Sequence, residues 1–396
     1  MMHSQISNRE ALRRGIPIFV AAVSMRAGLT IMNPLIPIFQ HQYHINSFAS
    51  SFLTSLSILC FAGAAFLMPL VAKIGGTNRV IALSLTTVTL AIFLRTVGTL
   101  PLIFASALLL GIAIAVLNFS LPVWVKENDD EHSGLLTGVY ITVMGIFASG
   151  AIAFAVPLSH VTHWGWRFSM VPLILLGAFS SVWWLIITRH AHKTASLIEP
   201  PTFHFKTFKS TGAWAIAMFF GLQSIIFYGT ATWFPTILVS KGFTLSDAGF
   251  AVAATGLFGS LIGISAPHYA SLLPNIRTLL LGLSAVLALA FGGIVFDKGW
   301  HLVLWLIIVN ICLSITFPLS LMLTVTRSSS ADETRSLSIM SQAVGYGLAF
   351  FGPGIVGATF DASKNWNIAL IVPIGFSILL GVTGYFAGSP EKVVLS

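Results

Sequence analysis

The chain has 396 residues, of which 56% are hydrophobic and 8% are Asp, Glu, Lys or Arg, with a formal net charge of +8. Soluble domains carry about 25% charged residues, so a water-soluble globular protein is excluded, and no basic, aromatic-interleaved stretch marks a nucleic-acid binder. Cys60 and Cys312 each lie within an apolar run and act there as small hydrophobes, so no disulfide, metal site or cofactor is expected.

Continuous runs of about 20 apolar residues predict twelve membrane-spanning helices. They fall at 15–39, 48–72, 79–98, 101–124, 134–158, 167–188, 212–236, 246–267, 276–296, 300–325, 336–358 and 367–388. None alternates with period two, which predicts an all-α membrane protein and not a barrel. The first run is too long for a signal-peptide core and has no small-residue cleavage site after it, so it is expected to be retained.

That first run carries Arg26 near its middle, and the nearest charges along the chain are Arg14 and Lys73. A guanidinium at bilayer depth normally faces a water-filled cavity and meets a specific partner. Its five donors in a planar fork suit small planar anions. Thr30 and Asn33 follow at i+4 and i+7, so one helix face presents cation, hydroxyl and amide together. The structural alternative is a bond from Arg26 to a carbonyl freed by Pro34 or Pro37. Arg95, near the end of the third run, is expected to reach the outer surface, away from any cavity.

Beyond the fourth run comes an acidic loop with Glu127, Asp129, Asp130 and Glu131. The polar connection 189–211, with Pro200 and Pro201, divides the chain into six-helix units at 1–188 and 212–396. A displacement of 201 residues lays VKENDDEHSGLLTGVY over TRSSSADETRSLSIMS, both basic, then acidic, then apolar. Such parallel repeats build transporters in which two bundles enclose a midplane site. In the second unit, Gln223, Ser224, Tyr228 and Trp233 bring polar and aromatic groups to helix 7, and Gln342 and Tyr346 do so at i and i+4 on helix 11. The alternative for these is hydrogen bonding between helices. Gly345, Gly352 and Pro353 are expected to let helix 11 pack closely and bend, as rocking hinges.

Fourteen of the 20 lysines and arginines fall on the side that holds both termini, which predicts cytoplasmic termini. All twelve carboxylates lie in loops, termini or helix ends, so no buried acid is available to carry a proton. A membrane-embedded enzyme would need clustered acids, His or Cys at depth, and this chain is not expected to be an enzyme.

The segments SMRAGLTIMNPLIP (24–37), GIAIAVLNFSLPVWVK (111–126), GLLTGVY (134–140), GWRF (165–168), FFGLQSIIFYGTATWFPTILVSKGFTLSDAG (219–249) and LSIMSQAVGYGLAFFGP (337–353) carry a resemblance. Together with twelve helices and a central basic loop, they resemble the major facilitator superfamily, and within it the cyanate and 2-nitroimidazole transporter family. The resemblance implies two pseudo-symmetric six-helix bundles in a bacterial cytoplasmic membrane. Asn118 and Tyr140, at positions matching family motifs, become candidate substrate contacts, and Gly76 and Arg79 candidate gating residues of the loop between helices 2 and 3. The expected function is secondary transport of a small anion or small planar polar solute by rocker-switch alternating access, the protein acting as a monomer in the bilayer. The alternative is export of neutral nitroimidazole-type drugs.

Overall fold

A computed structural model describes residues 8–64, 71, 75–129, 131–188, 205–273 and 275–393. After a short helix, Asn8–Arg14, the first half of the chain forms α1 (Ile16–Tyr43), α2 (Ser47–Ala62), α3 (Thr77–Val97), α4 (Leu100–Asn128), α5 (Ser133–Ser159) and α6 (Trp166–Thr188). The second half forms α7 (Thr211–Ser240), α8 (Leu245–Ser271), α9 (Ile276–Phe296), α10 (His301–Thr326), α11 (Asp332–Ser363) and α12 (Trp366–Ala387). Eleven of these are long and apolar enough to span a membrane; α2 is shorter, and residues 65–70 and 72 of its predicted span lie outside the described residues. So do residues 189–204 of the predicted connection.

Helix starts follow local chemistry. Asn46, Thr244, Asn275 and Ser330 each accept a hydrogen bond from a backbone N–H in the first turn of α2, α8, α9 and α11. In lipid those orphan donors have no water to turn to. Some interruptions follow proline. α11 breaks at Phe350, three residues before Pro353, whose missing N–H removes a rung of the helix ladder. α1 tightens to a 3₁₀ turn at Asn33–Leu35, around Pro34, and its separate interruption at Arg26 has no proline beside it.

Two apolar cores result, one from buried residues between Ile18 and Trp184 and one from Ile36 together with residues 213–393. Ile36 is instructive, because α1 packs in the first core on both sides of its break, from Ile18 to Phe39, and Ile36 alone reaches across to the second. Where helices touch most closely, glycine permits it: a Cβ on Gly352 would stand 2.6 Å from the Ile225 carbonyl of α7, and one on Gly357 2.9 Å from the Ser47 carbonyl of α2.

The halves are tied together at the end that carries the α1–α2 and α11–α12 connections. Asp361 of α11 accepts hydrogen bonds from the Ser47 and Phe48 amides (3.3 and 2.9 Å), so its carboxylate caps α2 across the interface. Thr54 of α2 and Thr232 of α7 share a buried hydroxyl bond of 3.2 Å. Phe154 of α5 meets Phe250 of α8 edge to face, with centroids 5.8 Å apart.

Candidate substrate cavity

A cavity of about 130 Å³ lies between the halves, bounded by α1, α2 and α5 on one side and α7, α8 and α10 on the other. That is roughly ten times the space of about 10–15 Å³ that a single water needs, enough for a solute of several heavy atoms. Arg26, Thr30 and Asn33 all line it, so the predicted stripe of α1 is assembled. The helix break at Arg26 is supported by Thr30, whose hydroxyl lies 3.2 Å from the Arg26 carbonyl and 3.1 Å from the Ala148 carbonyl of α5.

Arg26 is partly buried, and among the described residues its guanidinium has no hydrogen bond or ion pair. Its charge reaches the phenol groups of Tyr228 and Tyr346. Among the described residues no Asp, Glu or His lines the cavity, so Arg26 supplies its formal charge. An arginine in this setting attracts an anion, or a nitro or carbonyl oxygen, through paired N–H donors.

Arg95 behaves differently from the sequence expectation. It does not reach the surface: it is 1% exposed, and it donates from Nη1 to the Gly28 carbonyl of α1 (2.7 Å) and from Nε to Ser106 Oγ of α4 (2.9 Å). Arg95 thus bonds a carbonyl two residues past the α1 interruption, and no bond from Arg26 to a carbonyl near Pro34 or Pro37 occurs among the described residues.

The other predicted site residues divide. Tyr228 lines the cavity, and Tyr346 stacks beside it with centroids 6.5 Å apart, between Phe61 and Phe220. Gln223 and Ser224 are buried away from the cavity; the Gln223 amide donates to the Leu313 carbonyl of α10 and accepts from Ser224. Trp233 is fully buried and donates to the Pro353 carbonyl at the break of α11. Tyr140 packs in the first core, Asn118 is exposed on α4, and Gln342 is half-buried, none of them lining the cavity. Gly345 packs against the Phe220 ring and Gly352 against α7, so these glycines serve the α7–α11 contact directly. Gly76 takes a positive φ of 73° at the start of α3, and Arg79 sits in the first turn after it.

Several lining residues were not singled out from the sequence: Thr54, Ser149, Thr230, Ser260, Asn310 and Ser314. Asn310 was the most legible of them, an amide within the apolar run of α10. The remaining hydroxyls resemble the many Ser and Thr that bond their own helix.

Titratable groups outside the spans do not face the cavity. The Lys298 amide and the Trp305 indole hold the Asp297 carboxyl below the usual carboxylate range. Asp129 is also held low: burial works against this, and bonds from His132 prevail.

An all-helical bundle whose two cores enclose a polar cavity has the architecture of a membrane transporter. Residues 18–347 match the Major Facilitator Superfamily, and the chain belongs to it. It is 31% identical to the uncharacterized transporter YycB of Bacillus subtilis (96% of this chain, 94% of that one) and 28% identical to the 2-nitroimidazole transporter of Escherichia coli (98% and 97%). It is 23% identical to the cyanate transport protein CynX of Escherichia coli (91% and 94%). Its fold matches that of a bacterial homologue of the human lysosomal transporter Spinster, with a TM-score of 0.78 at 13% identity over 96% of this chain and 97% of the other. The protein is therefore a multi-pass membrane transporter of small solutes and not an enzyme.

Proposed function

We propose that this transporter binds a small planar anion at Arg26 and carries it across the bacterial cytoplasmic membrane by alternating access. One observation carries the reading: the formal charge of the inter-half cavity comes from a guanidinium that has no bonded partner among the described residues. An arginine at membrane depth costs about 2.5–3.5 kcal/mol on insertion scales, and a bidentate anion returns much of that through charge-assisted bonds. The relative named as a cyanate transport protein supports an anionic substrate.

In this reading residues 1–188 and 212–396 move as two bodies, joined by 189–211, with α11 flexing at Gly345, Gly352 and Pro353. Gly76 and Arg79 belong to the cytoplasmic gate, and the Lys/Arg bias sets both termini in the cytoplasm. The transporter works as a monomer. With no acid or histidine lining the cavity, the substrate itself balances Arg26. The test is ligand-induced thermal shift and proteoliposome counterflow with cyanate, nitrite and small carboxylates, comparing wild type with Arg26→Lys. A Lys variant that matches wild type for every anion would refute the clamp.

A second reading, export of neutral nitroimidazoles, is favoured by the 2-nitroimidazole transporter among the relatives and by the Phe227, Tyr228 and Phe234 wall of the cavity. There the nitro oxygens accept from Arg26 and the ring stacks on the aromatics. Tighter binding of neutral nitroimidazoles than of any anion in the same panel would select it.

A further inference from the structure

Opposite Arg26, α10 brings a hydrogen-bond acceptor that the rest of the fold has fixed in place. Asn310 lines the cavity and is half-buried. Its Nδ2 donates to the Leu306 carbonyl (3.0 Å) and to Thr255 Oγ1 of α8 (3.2 Å). The Leu306 carbonyl can only accept, so the amide cannot be turned over without setting oxygen against oxygen. Thr255 donates its own proton to the Ala251 carbonyl (2.8 Å), which leaves its oxygen to receive Asn310. Both N–H groups of the amide are thus committed, and Oδ1 has no donor among the described residues.

That oxygen lies beside Gly256, which also lines the cavity; even a Cβ built on Gly256 would stand 3.9 Å from it. One turn on, the Ser314 hydroxyl also lines the cavity without a hydrogen bond among the described residues. The cavity wall therefore carries a donor fork from the first half and an oriented acceptor from the second.

We infer that the substrate is two-ended: a flat ring bearing a carboxylate or nitro group for Arg26 and an O–H or N–H donor that bonds Asn310 Oδ1. This rests on the Arg26 reading above and narrows its substrate class. A triatomic anion satisfies one end only, whereas a two-ended ring bridges both halves. Asn310 is then the residue that selects among ring solutes, and Thr255 is a positioning residue that holds its amide.

The experiment measures binding, by thermal shift and by displacement of a bound label, for benzoate, 4-methoxybenzoate and 4-hydroxybenzoate on the full chain in detergent. Wild type should prefer the hydroxy compound over both others by about three- to tenfold, the worth of one neutral hydrogen bond. Asn310→Leu, which keeps the volume and removes the acceptor, should bring that ratio to about one. Thr255→Val leaves the cavity wall intact and should lower the ratio part of the way. Arg26→Lys should weaken all three compounds and keep the ratio. A ratio near one in wild type, an unchanged ratio in Asn310→Leu, or no binding of any ring anion overturns the inference. If cyanate still binds in an Arg26-dependent way in those cases, the anion reading survives without it. Should Asn310→Leu not fold, the Thr255→Val ratio decides alone.

Discussion

Arg26 and Arg95 interrupt apolar runs in the same half of the molecule, yet they occupy opposite kinds of surroundings. Arg95 is sealed among α1, α3 and α4, where its Nη1 and Nε donate to a backbone carbonyl and a serine. Arg26 borders open space, and its donors meet no bonded partner among the described residues. Depth in the membrane is common to both; what separates them is whether the fold itself bonds the guanidinium. A guanidinium bonded by neighbouring helices holds them together, and one that borders open space is placed to recruit a solute.

Substitution of each arginine should break this contrast in opposite directions. Arg26→Ala should remove nearly all transport, at least about tenfold, while the purified protein melts no lower than wild type, since a costly charge has gone. A parallel loss of folded protein would instead make Arg26 structural. Arg95→Ala should do the reverse. It strands the Gly28 carbonyl, at about 1–3 kcal/mol for a buried unsatisfied group, and takes from Ser106 a bond beyond the one it keeps to the Ile103 carbonyl, so the midpoint of thermal unfolding should drop by several degrees. Unchanged stability in that variant would end the staple account.

A milder probe sharpens the boundary between cavity and core. With Cys60 and Cys312 replaced by alanine, Ser314→Cys should react with a water-soluble thiol reagent and be protected by bound anion, whereas Gln223→Cys should react several-fold more slowly. Equal rates at the two sites would show that the packed α7–α10 contact opens to water during the cycle.

The smallest effect expected lies outside the spans. The folded state holds the Asp297 carboxyl below its usual value, so the native protein binds fewer protons than the unfolded chain around that value. This contribution to stability is complete above the ordinary aspartate pKa of about 3.9 and fades as pH falls through the lower folded value. Melting curves of Asp297→Asn and wild type should therefore differ slightly near neutral pH and converge in acid. A gap that widens in acid would contradict the assignment.

Much of this was legible in the sequence. The spans and the cation–hydroxyl–amide stripe of α1 follow from apolar runs and helical spacing. What was illegible depends on partners distant in the chain. Arg95 looked able to reach the surface because it sits near a helix end; only the placement of Gly28 and Ser106 turns it inward. Gln223 and Ser224 share a helix with Tyr228, but a helix has several faces, and the period alone does not say which one meets α10 and which the cavity. Asn310 carried the same signal as Arg26, a polar group within an apolar run, at lower amplitude because an amide costs less to bury than a charge.

The bond from Arg95 to Gly28 also bears on how the protein is made. Its partners are 67 residues apart, an interval of roughly 3–13 s at a synthesis rate of about 5–20 residues per second. Throughout that time α1 must sit in or beside the insertion machinery with the Gly28 carbonyl lacking the guanidinium that will later bind it. The break in α1 therefore gains this bond only when α3 arrives, Ser106 adds the start of α4 to the same cluster, and the Thr30–Ala148 contact follows with α5. The opening helices of the chain mature as one biogenesis unit, so a lesion at position 95 should surface first as quality-control loss of nascent protein, before any substrate is met.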